Sequence, residues 1–177
     1  MEISVLADSE LSAHDRSEID EVCDQAFGVH STKEDNSFEF QWVPSNDWHV
    51  VVKLEGVTVS QVGIVERTGT VDRKPVKLGG VGGVATFPNM QKKGLASAAM
   101  HMAAGFMQNS LKVDFGLLVC AREMEPFYHK LGWQEVVGPL VFDQPQGKVT
   151  FHDVIMILPS VQQDWPPGII DLCGLPW

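Results

Sequence analysis

The run Gln91-Lys92-Lys93-Gly94-Leu95-Ala96-Ser97 has the residue types and spacing to hold an anion. It follows an apolar strand ending near Phe87 and Pro88, and it opens a helix that continues through Ala98 to Met107. The first N–H groups of a helix have no intrahelical partner and carry partial positive charge, so they attract phosphate groups. Gly94 lets the backbone approach a ligand closely, and Lys92 and Lys93 add fixed charge. The chemistry implied is capture of a pyrophosphate. Two further groups could take part in a reaction: Tyr128, the only tyrosine, and Cys120, the thiol that ends an apolar strand.

The rest of the composition narrows the class. At 177 residues the chain is read as one domain, 1–177, with 159–177 as a C-terminal tail. A hydrophobic content of 44% fits a globular fold, not a disordered chain. The net charge is −10 and the isoelectric point is near 4.9. No basic stripe is available to neutralise phosphates along a duplex, so nucleic acid is not an expected partner. An acidic balance suits a cationic substrate. The three cysteines have neither disulfide-framework nor zinc spacing, and no metal is expected. No apolar run reaches membrane-spanning length, so no membrane partner is expected. The start Met1-Glu2-Ile3-Ser4-Val5 lacks the basic residues of a signal peptide, which makes the cytoplasm the expected location.

These residues need elements to position them. Ile3–Leu6 reads as a strand and residues 12–28 as a helix, capped by Ser12 and with Ile19, Val22, Cys23, Ala26 and Phe27 on its apolar face. Residues 30–47 have no clear period. His49–Leu54, a Glu55-Gly56 turn and Val57–Glu66 form a hairpin, and Thr68–Pro75 turns the chain into a long strand, Val76–Phe87. After the helix at 95–108, the apolar run Val113–Cys120 reads as a strand buried on both faces. A short helix, Glu123–Lys130, a less regular stretch at 134–148 and a final strand, Val149–Leu158, complete the order. The fold class is α/β (α+β), a mixed central sheet of about six to seven strands flanked by helices.

With these residues in place the chain resembles the GNAT superfamily of N-acetyltransferases. Gln91-x-x-Gly94-x-Ala96 matches the acyl-CoA signature (Arg/Gln)-x-x-Gly-x-(Gly/Ala), and Tyr128 followed by Gly132-Trp133 matches the second signature. The resemblance implies acetyl-CoA as cofactor. Backbone groups and side chains of Gln91, Lys92, Lys93, Gly94, Leu95, Ala96 and Ser97 would hold its pyrophosphate. Val84, Ala85 and Thr86 would offer strand groups to the pantetheine arm, and Tyr128 would protonate the departing thiolate. Because these enzymes transfer directly from thioester to amine, Cys120 is read as a buried thiol. His101 and His129 are read as surface or packing residues.

A nearer resemblance is to the aminoglycoside 2′-N-acetyltransferases, carried by Gly83-Val84-Ala85, Leu95-x-Ser97-Ala98, and a tail ending in Trp177. In those enzymes the tail folds back and places its carboxylate at the active site, so Trp177 becomes a catalytic and substrate-binding candidate, with water ordered by the backbone carbonyls of 82–84 as the alternative base. They also keep a glutamate, acting as base, where this chain has Gly82, and an arginine where it has Gln91. The substitution at Gly82 also fits a different acceptor within the class, such as kasugamycin, whose acetylating enzymes form a divergent branch. Gly82, Gly83, Asp35, Glu39 and Asp47 are the remaining substrate-side candidates. The expected function is acetylation of an aminoglycoside amine, with antibiotic resistance as its consequence. Acetylation of another small amine or a protein N-terminus, and a non-catalytic acyl-CoA sensor, remain open, and assembly into homodimers is compatible with the sequence.

Overall fold

The computed structural model describes residues 1–28, 40–159 and 163–177. Runs of β-branched residues joined by tight turns make its antiparallel part: β1 (Glu2–Ala7), β2 (Trp48–Leu54), β3 (Val57–Val71) and β4 (Lys74–Thr86). The turn Glu55-Gly56 has positive φ at both residues, the backbone hand that continues the strand twist. The polar stretch from Thr68 is not the expected turn. β3 continues through Thr68, Gly69, Thr70 and Val71, and the chain reverses only at Asp72-Arg73, where φ is 48° and 66°. The β-branched Thr68, Thr70 and Val71 suit a pleated ladder better than a loop, and that ladder runs to Val71↔Lys74.

The remaining strands are β5 (Phe115–Cys120), β6 (Gln134–Glu135), β7 (Leu140–Gln144), β8 (Gly147–Phe151), β9 (Val154–Leu158) and β10 (Ile170–Asp171). They bring the sheet to ten strands among the described residues. Two local readings are corrected here. Residues 134–148 hold β6, β7 and the start of β8, and the single strand expected at 149–158 breaks at His152-Asp153 into β8 and β9. β8 then pairs with β7, whereas β9 pairs with β5 and β6.

Alternation along β3 assigns the two faces of the sheet. Val62 and Ile64 point to one core, with Val81, Leu118 and Met156. Helices α2 (Leu95–Phe106) and α3 (Glu125–His129) cover this face through Leu95, Ala99, Met100, Ala103 and Tyr128. Gln61, Gly63, Val65 and Arg67 point to the other face. There α1 (Ala13–Phe27) packs on β3 and β4. Leu140 and Phe142 of β7, Ile170 of β10 and Trp177 join Leu117, Ile155 and Ile157 in a second core on that side. β5 and β9 contribute to both cores, which explains their nearly continuous apolar sequence.

Two features of this frame prepare a site. β4 and β5 run parallel but pair only from Leu78↔Phe115 to Gly80↔Leu117. Beyond that point β5 continues beside β9, and residues 81–86 of β4 keep β3 on one side only. β4 also carries a bulge: Gly82 opposes Gly63 and Ala85 opposes Gln61, so Gly83 and Val84 together face Val62.

Candidate active site

The loop between β4 and α2 turns by backbone conformations that few residues adopt. Pro88–Met90 forms a 3-10 turn, Lys92 has φ 61°, and Gly94 caps α2 from the left-handed region with φ 79°. Ala98 N–H donates to Gly94 C=O at 3.0 Å, closing the first helical turn. The N–H groups ahead of it have no helical acceptor and are available to a ligand. The Gln91 side chain donates back to Thr86 C=O at 3.4 Å, tying the loop to the strand end.

This loop forms one wall of a cleft of about 580 Å³. Of the residues expected to hold cofactor, Val84, Thr86, Gln91, Lys92, Gly94, Leu95, Ala96 and Ser97 line it. Ala85 and Lys93 do not. Ala85 is buried and its carbonyl accepts from Ser60 Oγ at 2.8 Å, while the Lys93 ammonium turns to Met90 Sδ at 3.2 Å. The opposite walls come from residues that sequence reasoning did not connect with the loop: Ala26 and Phe27 at the end of α1, and Met124, Phe127 and Lys130 around α3. Phe27 completes an apolar helical stripe and reads as core, yet it is 65% exposed at the cleft. The i, i+3 pair of Met124 and Phe127 was the one local signal for that wall.

Tyr128 lies on the inner side of α3, 6% exposed, with its ring edge-on to Phe127 at 5.0 Å and to Trp133 at 6.5 Å. The turn behind it is held by Leu131 and Trp133 N–H groups that donate to Tyr128 C=O at 2.9 and 3.2 Å. Burial, with a smaller contribution from the nearby Cys120, pushes the phenol up to about 12, so it stays protonated at neutral pH. Cys120 is itself pushed up to about 11, first by burial and then by the Glu125 carboxylate. It is a thiol, not a thiolate, at physiological pH, which disfavours a nucleophilic role.

On the other face, Gly63, Gly80 and Gly82 make a floor without side chains. The Trp177 indole rests on Gly80, where a Cβ would come within 2.0 Å of the ring. Its main-chain carbonyl carbon lies 3.0 Å from where a Cβ on Gly82 would sit. The tail reaches this position by a series of anchors. Leu172 N–H donates to Val141 C=O, Asp143 N–H donates to Gly174 C=O, and Val43 N–H donates to Pro176 C=O at 2.8 Å. Arg67 donates to Leu175 C=O and places its guanidinium 5.2 Å from the centroid of the Trp177 ring. The Asn46 side chain occupies the space over Gly63.

Of the acidic candidates only Asp47 falls among the described residues. The Asp47 carboxylate accepts from Glu66 N–H at 2.7 Å at the β3 edge, and Asp35 and Glu39 lie outside the described residues. His101 is exposed on α2, and His129 pairs with Glu125 at 3.2 Å. Among the described residues no cluster of His, Cys, Asp and Glu has metal-site geometry, and no helix is long and apolar enough to cross a membrane.

The arrangement fits a coenzyme A thioester. The unpaired β4 segment can take an extended amide chain as an extra strand, and the loop that continues from it offers N–H donors and lysine charge for a diphosphate. Comparisons with known proteins agree. Among solved structures, Escherichia coli ElaA aligns over 88% of this chain and 97% of its own, with 15% identity and a TM-score of 0.61. A GNAT family acetyltransferase from Brucella melitensis, in complex with acetyl-CoA, aligns over 85% and 96%, with 16% identity and a TM-score of 0.56. Eis1 from Mycobacterium abscessus aligns over 75% of this chain but 31% of its own, with 14% identity and a TM-score of 0.57. These likenesses show a shared fold. No curated protein matches the chain in sequence. A family model described as an acetyltransferase (GNAT) domain matches residues 9–136, and on that match the chain belongs to the GNAT acetyltransferases, whose acyl donor is acetyl-CoA.

Proposed function

We propose that the chain acetylates an amino group of an aminoglycoside-type amino sugar, the 2′-amine being the one its resemblance implies. The observation that carries this reading is the seat of Trp177 on Gly80 and Gly82. The aminoglycoside enzymes it resembles keep a glutamate at the Gly82 position and bring their C-terminal carboxylate to the active site. Here the glycine leaves room for the Trp177 main chain. In this reading the Trp177 end of the tail, seated over Gly82, supplies the base that removes the proton an ammonium must lose. The net charge of −10 favours approach of a polycationic acceptor.

Acetyl-CoA supplies a thioester carbonyl activated toward attack by nitrogen. The chain's own residues have three tasks. The N–H groups at 92–97 hold the diphosphate, and the edge of β4 at Val84 and Thr86 holds the arm. The Val84 N–H in the bulge is the donor for the negative charge that develops on the acyl oxygen. The Tyr128 hydroxyl holds a proton for the leaving sulfur. Acetylation removes a positive charge and donors that such antibiotics use to bind RNA, so resistance is the expected phenotype.

A panel assay tests the reading. Acetyl-CoA is presented with structurally different aminoglycosides, kasugamycin among them, beside a polyamine, an amino acid and a peptide N-terminus, and thiol release is followed. Release with the sugars supports the proposal. Release only with the polyamine, amino acid or peptide transfers the same chemistry to another acceptor and overturns it.

A further inference from the structure

We infer that Gln61, a residue outside both GNAT signatures, is the positioning residue that aims the Val84 N–H at the acyl oxygen; this deepens the acetyl-CoA site described above. Gln61 is 1% exposed, on the β3 face that also carries Gly63. Its Nε2 donates one hydrogen to Gly83 C=O and the other to Cys23 Sγ on α1 at 3.3 Å. Only the amide nitrogen can face Gly83, because an oxygen there would set two acceptors against each other. Oε1 is buried among the described residues without a partner.

The consequence follows from the geometry of one peptide group. Gly83 C=O and Val84 N–H belong to the same planar unit, and no peptide bond here is cis. In a trans peptide the two bonds point in opposite directions, so fixing the carbonyl fixes the N–H. The bulge gives that unit freedom it would otherwise lack. Gly83 has φ 56°, and the register gives Val84 no residue of its own on β3 to pair with. A bulge built on glycine could swing this peptide. Gln61 stops it, and Cys23 stops Gln61. A methionine or leucine would fill the same space without an orphaned oxygen, so the amide is explained by what its other half holds.

The test uses the full chain and two variants, and its first readout needs no acceptor. Free coenzyme A lacks the acyl oxygen, so the ratio of its dissociation constant to that of acetyl-CoA reports the Val84 contact. Both constants are measured by calorimetry. In Gln61→Met the ratio is expected to fall about threefold or more. With an acetylatable amine, kcat falls about tenfold while KM for the amine stays within about twofold, a smaller loss than the 10²–10³ of removing such a donor outright. The melting temperature is expected to stay within about 3 °C. Gln61→Glu supplies a second reading if the first variant does not fold. Burial raises a carboxyl pKa, and only the protonated acid can donate to Gly83. Its ratio therefore recovers toward that of the unmodified chain as pH falls and is lost as pH rises. An unchanged ratio and kcat in Gln61→Met, or a ratio in Gln61→Glu that does not vary with pH, overturns the inference. If the unmodified chain acetylates no aminoglycoside, the acceptor reading fails while the affinity ratio still decides the role of Gln61.

Discussion

Tyr128 can donate a proton at neutral pH because its surroundings disfavour the phenolate. With the phenol pushed up to about 12 by burial, the hydroxyl is fully protonated across the range in which amines deprotonate. Activity is therefore expected to rise with pH as the acceptor amine loses its proton. It should show no alkaline decline up to about pH 10, because the tyrosine still holds its proton there. A kcat profile that falls with a midpoint below pH 10 would remove Tyr128 from the acid role. Tyr128→Phe keeps the contacts with Phe127 and Trp133 and deletes only the hydroxyl. It should lower kcat about a hundredfold while leaving coenzyme A affinity within about twofold, measured by thiol release and calorimetry. This residue was legible in the sequence because its signature is local: Tyr128, Gly132 and Trp133 sit on one short helix and its closing turn. Gln61 was not. Nothing in a β-strand sequence says which polar residue will face a bulge on the next strand.

At the scale of elements, α1 and α2 show how local chemistry fixes boundaries. Ser12 and Asp15 form a reciprocal capping box, Asp15 N–H donating to Ser12 Oγ at 3.1 Å and Ser12 N–H to the Asp15 carboxylate at 3.3 Å. Lys53 on β2 completes it, 2.8 Å from Asp15. The Asp15 pKa is lowered to about 2, first by Lys53 and then by Ser12. The sign of the effect on stability follows. The unfolded carboxyl titrates near 3.8 and the folded one near 2, so the stabilisation is complete above pH 4 and disappears as pH falls toward 2. Asp15→Asn should cost about 1 kcal/mol at pH 7, a modest figure because the pair is partly solvated, and should flatten the acid slope of urea midpoints between pH 4 and 2. A variant with the same acid slope as the parent would show that the contact is not formed. These caps were readable because their partners lie within one turn. The β7–β8 hairpin and the split at His152-Asp153 were not. Residues 134–148 carry Gly138, Pro139 and Pro145, which break every simple period, and their strands form only because Leu140 and Phe142 find Leu117 and Ile157 across the second core.

At the scale of the whole molecule, the loop side of the cleft is made by neighbours in sequence, and the tail side by contacts across most of the chain. The motif from Gln91 to Ser97 announces itself because strand, loop and helix are contiguous. The seat of the tail depends on β10 pairing with β3 and β7, on Arg67 meeting Leu175, and on three glycines from two strands forming one floor. No local pattern encodes that meeting. It can be tested from either partner. A Cβ at Gly80 would lie 2.0 to 2.4 Å from the Trp177 ring, and those ring atoms cannot yield within the second core, so Gly80→Ala must expel the indole. The expected cost is about 1–3 kcal/mol, the range for overpacking a well-filled core, read as a fall in the urea midpoint. Arg67→Met keeps the apolar stem over the indole but removes the guanidinium contacts with the ring and with Leu175, and should cost about 1 kcal/mol. Both variants should expose residues near 172–177 to carboxypeptidase and to faster amide exchange at Leu172 and Asp143. Both should also lose acetyl transfer to the amine while keeping coenzyme A affinity, because the cleft is lined by Val84, Thr86 and the loop from Gln91 to Ser97, and the tail seat lies at Gly80 and Gly82. Retained transfer in a Gly80→Ala protein whose tail is digested would show that Trp177 takes no part in the reaction.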